Sequence, residues 1–155
     1  MTFQIAALPA DAFRHLYGRS DEDLRAIGVE PVTADAETGF PCRVSLADAP
    51  IGQRLLLLNH EHQPADTPYR SRHAIFVADG AETATPAPGE IPDQLRRRLL
   101  SIRAFDAQGM MLDADIVDGA AAEGIVMRLF AEPRAAYLHA HFARRGCYAA
   151  RIDRA

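Results

Sequence analysis

Four consecutive leucines at residues 55–58, followed at once by Asn59, His60, Glu61 and His62, restrict this chain more than any other stretch. A strand alternates its side chains between two faces, so an unbroken apolar run is buried on both and belongs in the interior of a sheet. The pattern predicts a central strand over residues 54–62. Past Leu58 the faces separate, with Asn59 and Glu61 on one side and His60 and His62 on the other. Residues 63–69 carry two prolines and form a loop, and residues 70–77 resume as a strand with Ser71, His73, Ile75 and Val77 on one face.

The other elements follow from period and punctuation. Residues 2–6 and 29–34 read as short strands, and residues 11–17 and 20–27 as short helices ended by Gly18 and Gly28. Ser20 and Asp23 stand in capping-box spacing at the start of the second. Residues 40–46 alternate, with Phe40, Cys42, Val44 and Leu46 opposite Pro41, Arg43 and Ser45, which predicts a strand with Cys42 in the core. Residues 83–92 form a proline-rich surface loop, and Asp93 begins a short helix. A helix over residues 119–132, capped by Asp118 and stopped by Pro133, would bury Ala122, Ile125, Val126, Leu129 and Phe130.

Two hairpins flank that helix. A three-residue loop, Ala107-Gln108-Gly109, places Arg103 opposite Asp113 and Ser101 opposite Asp115, with Leu100, Ile102, Ala104, Met110, Leu112, Ala114 and Ile116 on one apolar face. A three-residue loop of Arg144, Arg145 and Gly146 pairs Ala143 with Cys147, His141 with Ala149 and His139 with Arg151. Leu138, Ala140, Phe142, Tyr148, Ala150 and Ile152 then form a core face, and Tyr137, His139, His141, Cys147, Arg151 and Asp153 a polar one. The expected architecture is a single α+β domain over residues 1–155: a largely antiparallel sheet of hairpins, short N-terminal helices, and the 119–132 helix packed on the sheet.

Composition removes several functions. All 17 basic residues are arginine. Without lysine there is no Walker A, Schiff-base or pyridoxal-phosphate chemistry. A net charge of −4 without a basic stripe argues against nucleic acid, and no apolar run is long enough to span a bilayer. The N-terminus lacks a basic n-region, so the expectation is a cytoplasmic protein with no membrane partner. Cys42 and Cys147 are then expected as free thiols.

The polar faces carry the candidate chemistry. Histidines two apart on a strand share a side, so His60/His62 and His139/His141 are each ready two-nitrogen units, with His73 or Cys147 as a third. No complete metal motif accompanies them: the H-x-H pair opens a cupin motif whose glutamate and later P-x-G…H are missing, and HExxH and the deaminase signature are absent. Arg70, Arg72, Arg144 and Arg151 lie nearby in sequence, and their forks suit carboxylate or phosphate, with the histidines as donors or as acid and base. A thiol–histidine pair on Cys147 and a purely structural or interaction module are the remaining alternatives.

The stretches LLLLNHEHQPADTPYRSRHAIFV and YLHAHFARRGCYAARIDR resemble the bacterial family catalogued as domain of unknown function 1203, over nearly the whole chain. The resemblance implies no reaction. It places His62, Tyr69, Arg70 and His73, then His139, His141 and Cys147, in the signature stretches, and it puts an aromatic where this chain has His60, which favours His62. The expected site therefore uses His62, His73, His139 and His141 for chemistry and Tyr69, Arg70, Tyr137, Cys147 and Arg151 to bind a small anionic molecule. No cofactor is expected; the alternative is a zinc or iron ion on His62, His139 and His141.

Overall fold

In the computed structural model, which describes residues 1–155, the chain runs β1 (Phe3–Ala6), α1 (Asp21–Ala26), β2 (Glu30–Thr33), β3 (Arg54–Gln63), β4 (Ser71–Ala78), α2 (Asp93–Arg96), β5 (Leu99–Phe105), β6 (Met111–Asp118), α3 (Ala122–Phe130), β7 (Tyr137–Phe142) and β8 (Tyr148–Arg154). The fold is α+β and mostly antiparallel sheet, as the hairpin pattern predicts. The chain divides into two compact units. One comprises Met1–Ala6, Glu61–His73 and Thr85–Ala155, and the other Ala7–His60 and Ala74–Ala84.

In the second unit the leucine run behaves as its composition requires. β3 is the middle strand of the order β2-β3-β4. Leu56 and Leu58 pack with Phe13, Leu24, Val44, Ile75 and Val77, while Leu55 packs against Ala34, Ala49, Phe40 and Phe76. Ser20 caps α1 by accepting from the Asp23 N–H at 3.1 Å. Two sequence expectations fail here. Residues 11–17 form two short 3-10 turns, Ala10–Ala12 and Arg14–Leu16, rather than one helix. Residues 40–46 are not a strand: Pro41 and Cys42 make isolated bridges to Asp48 and Phe76, and the chain turns at once. Arg43, expected on a polar face, is 1% exposed and folds back to donate to the Pro41 carbonyl, and Leu46 takes a left-handed φ of +52°, so the segment turns instead of extending.

The first unit is a five-stranded antiparallel sheet in the order β1-β8-β7-β5-β6. Its apolar face collects Leu100, Ile102, Ala104, Leu138, Ala140 and Ile152, and α3 packs against β5 and β6 with Val126, Leu129 and Phe130 buried. Asp118 accepts from the Ala120 N–H at 3.0 Å where the predicted cap lies.

Both hairpins carry a β-bulge that periodicity does not reveal. The three-residue loop at Ala107-Gln108-Gly109 is present, closed by Asp106 N–H to Met110 O at 2.9 Å with Gly109 at φ +85°. A bulge at Ala104/Phe105 then shifts the register, so Arg103 faces Ala114 and Ala104 faces Asp113. The expected Arg103–Asp113 and Ser101–Asp115 pairs do not form, and Ile116, expected in the core, is 62% exposed. Asp113 and Asp115 instead meet Arg128 of α3, at 3.0 and 2.9 Å. In the last hairpin His139 faces Arg151 as expected, but a bulge at Ala140/His141 sets His141 opposite Tyr148 rather than Ala149. The loop is correspondingly longer, with Phe142 N–H bonded to Cys147 O at 2.9 Å.

The tip of the β5–β6 hairpin holds the segment that carries His62. Thr67 donates its hydroxyl to Gly109 O at 3.2 Å, and Gln63 Nε2 donates to Tyr137 Oη at 2.8 Å. A Cβ on Gly109 would overlap the Ala65 side chain, at a φ that disfavours any L-residue. Gly109→Ala is therefore expected to cost at least about 2 kcal/mol in urea unfolding, from strain plus overpacking. Unchanged stability would show that this segment is not held by the hairpin tip.

Candidate metal centre

One strand of the first unit, β7, supplies two of the three central side chains. On β7, His139 and His141 share the face turned away from α3. Across β5 they stand opposite Arg103 and Ser101, and across β8 opposite Arg151 and Tyr148. The third, His62, comes from the end of β3. His62, His139 and His141 are 9%, 3% and 0% exposed, and one nitrogen from each lies within 4.8 Å of the other two. His62 stacks on Tyr148 at 5.1 Å and on His73 at 4.7 Å, and meets His139 and His141 edge-on at 5.8 and 5.0 Å.

The protonation of the cluster follows from its burial. Desolvation, with the nearby charges of His62, Arg151 and Arg103, pushes His139 down from 6.5 to about 3. Desolvation also takes His141 down to about 3, against the Gly146 carbonyl bond, which favours the cation. Both rings are neutral at pH 7, the form that ligates metal. His141 Nδ1 lies 2.9 Å from Gly146 O. A carbonyl only accepts, so Nδ1 carries the hydrogen and Nε2 presents a lone pair. This is how a backbone carbonyl commonly orients a ligating imidazole. His141 Nε2 and His139 Nδ1 are buried with no hydrogen-bond partner, which is costly unless something else engages them. Four-coordinate zinc at about 2.0–2.1 Å spaces its nitrogens by about 3.4 Å, against the 4.8 Å that bounds the trio here.

The other expected site residues are distributed around the trio. His73 stacks on His62 and lies 5.3 Å from the His141 ring. Tyr137 lies 5.2 Å from His139, with the Arg151 guanidinium over its ring at 4.2 Å. Arg151 also pairs with Asp153 at 2.8 Å. Arg70 and Arg72 are exposed and pair with Glu61 at 3.2 and 3.6 Å. Tyr69 is exposed, its ring 6.4 Å from Phe105. Arg144 is exposed in the last hairpin loop. Cys147 is half-buried and outside the trio, and His60 lies in the second unit, beside Phe13. Two residues of the histidine face escape sequence reasoning. Tyr148 is assigned to the core by parity, and Arg103 to a pair with Asp113; the two bulges reverse both.

Neutral burial has a pH signature. Folded pKa values below the unfolded value of 6.5 leave stability intact above pH 6.5 and remove it as pH falls toward 3. By linkage the loss is about 2 kcal/mol per histidine at pH 5. Urea unfolding at pH 7.5 and pH 5.0 is expected to show this drop, and His141→Gln to show a smaller one. An equal pH dependence in the variant would contradict neutral burial.

No curated protein and no solved structure matches the chain. One family does match, over residues 39–154, and its description is "Protein of unknown function (DUF1203)". The trio, His73, Arg103 and Tyr148 all fall inside the matched span. The chain belongs to the DUF1203 family.

Proposed function

We propose that this protein is a metal-binding protein in which His62, His139 and His141 hold a divalent transition ion, zinc or iron, and leave the rest of its coordination sphere to a small-molecule ligand. One observation carries the reading: three buried imidazoles offer nitrogens within 4.8 Å of one another, and two of the rings are held neutral by burial. A purely structural histidine cluster would satisfy its nitrogens with protein partners, whereas His139 Nδ1 and His141 Nε2 have none. From the sequence the expectation is an anion pocket, with a bound ion and a structural or interaction module as alternatives. The geometry favours the ion, because Arg70, Arg72 and Arg151 are engaged by Glu61 and Asp153.

Neutral ligands suit this chemistry. Three imidazoles leave the full charge of a divalent ion uncompensated, which makes it a stronger Lewis acid than a carboxylate- or thiolate-rich site would. In this reading His141 ligates through Nε2 with its ring fixed by Gly146, and Tyr148 and His73 hold the plane of His62 by stacking.

Tag-free protein, stripped with chelator and dialysed, tests the reading. Zinc, iron(II) or cobalt(II) is expected to bind at one ion per chain and to raise the melting temperature, by about 2.7 kcal/mol of stabilisation at a hundredfold excess over Kd. His62→Gln and His141→Gln are expected to fold and to weaken binding by about 100-fold or more. Wild-type protein that takes up none of these ions, or variants that bind as tightly as wild type, would sink the proposal.

A further inference from the structure

We infer that the ligand completing this centre is a small oxyanion, a carboxylate or phosphate group, and that Arg103 is the residue that recognises it. The inference rests on the metal reading above and assigns the chemical class of what the centre binds.

Arg103 lies on β5 directly opposite His139 of β7. Directly paired residues project to the same side of a sheet with Cβ atoms about 5 Å apart, so the guanidinium rises from the floor that carries His139 and His141. The residue is half-buried, yet its one side-chain hydrogen bond is to Ser101 Oγ at 3.3 Å. No carboxylate pairs with it.

Four arginines of the chain are not exposed: Arg54 pairs with carboxylates, Arg43 and Arg98 donate to the carbonyls of Pro41 and Gln94, and Arg103 has the Ser101 hydroxyl. Arg14, Arg25, Arg54, Arg70, Arg128 and Arg151 each contact a carboxylate, at distances from 2.6 to 3.2 Å. The acids on elements around Arg103 are already engaged: Asp113 and Asp115 by Arg128, Asp153 by Arg151, and Glu61 by Arg70 and Arg72. A partly desolvated cation without a counter-charge opposes folding. Imidazoles bring no negative charge either, so a divalent ion held by them beside Arg103 adds to an uncompensated positive charge. An anion bridging ion and guanidinium relieves both charges at once. The planar fork of arginine fits the paired oxygens of carboxylate or phosphate.

Cobalt(II)-loaded protein gives a direct readout, because its visible absorption changes when a new oxygen donor enters the coordination sphere. Succinate and inorganic phosphate are titrated separately at pH 7.5 into wild type, Arg103→Lys and Arg103→Met. Wild type is expected to show a saturable spectral change with at least one anion. Arg103→Met is expected to weaken it by about 30-fold, and Arg103→Lys by less. Cobalt loading stays stoichiometric in both variants, and Arg103→Met melts no lower than wild type, since it loses an uncompensated charge. A response to succinate alone or to phosphate alone assigns the oxyanion. Loaded protein that responds to neither anion, equal affinity in Arg103→Met, or an Arg103→Met chain that melts well below wild type overturns the inference and leaves the metal reading standing. Wild type that takes up no cobalt removes the metal reading instead. The two anions are then tested by melting temperature on metal-free protein, where a rise lost in Arg103→Met supports the role of Arg103 and no rise refutes it.

Discussion

The backbone pairing of β7 is the constraint from which the rest of the first unit follows. β7 is bonded on both sides, to β5 and to β8, so neither edge is free to slide. A slip of one residue would turn every side chain over. His139 and His141 would then face α3 and the apolar residues beneath it, and Leu138, Ala140 and Phe142 would face His62. Burial of Leu138 and Ala140 at 0% and 1% exposure opposes that slip strongly. The apolar face of the strand therefore fixes the position of the polar one.

Burial then decides the chemistry. An imidazole in water is still partly protonated at neutral pH, whereas desolvation keeps His139 and His141 neutral. The tautomer of His141 is selected by the Gly146 carbonyl, which the turn of the last hairpin puts in place. The same hairpin's bulge brings Tyr148 over His62. One irregularity of one residue thus supplies a ring platform.

What was legible in the sequence is what depends on burial and period. The leucine run announced an interior strand, and the H-x-H spacings announced a shared face for each pair. His62, His139 and His141 could be named as candidates on that ground alone. Their convergence could not, because it depends on where the end of β3 lies against a sheet formed almost entirely from residues past Thr85. The bulges at Ala104/Phe105 and Ala140/His141 were hidden for a different reason. A bulge shifts the alternation by one residue, but consecutive apolar residues, Met110 to Leu112 and Tyr148 to Ala150, fit either phase, so parity counting carries straight through. That error paired Arg103 with Asp113, which concealed the one half-buried arginine of the histidine face that no acid neutralises. Arg43 misled in a third way: a guanidinium buried to 1% exposure looks, in an alternating stretch, like a solvated residue.

The central claim is that three imidazoles from two separate parts of the chain meet on one ion. X-ray absorption of zinc-loaded protein measures this most directly. The account predicts three nitrogen scatterers at about 2.0–2.1 Å with the outer-shell pattern of imidazole rings, reduced to two rings in His62→Gln. A spectrum with one ring or none, or one that His62→Gln leaves unchanged, would contradict it.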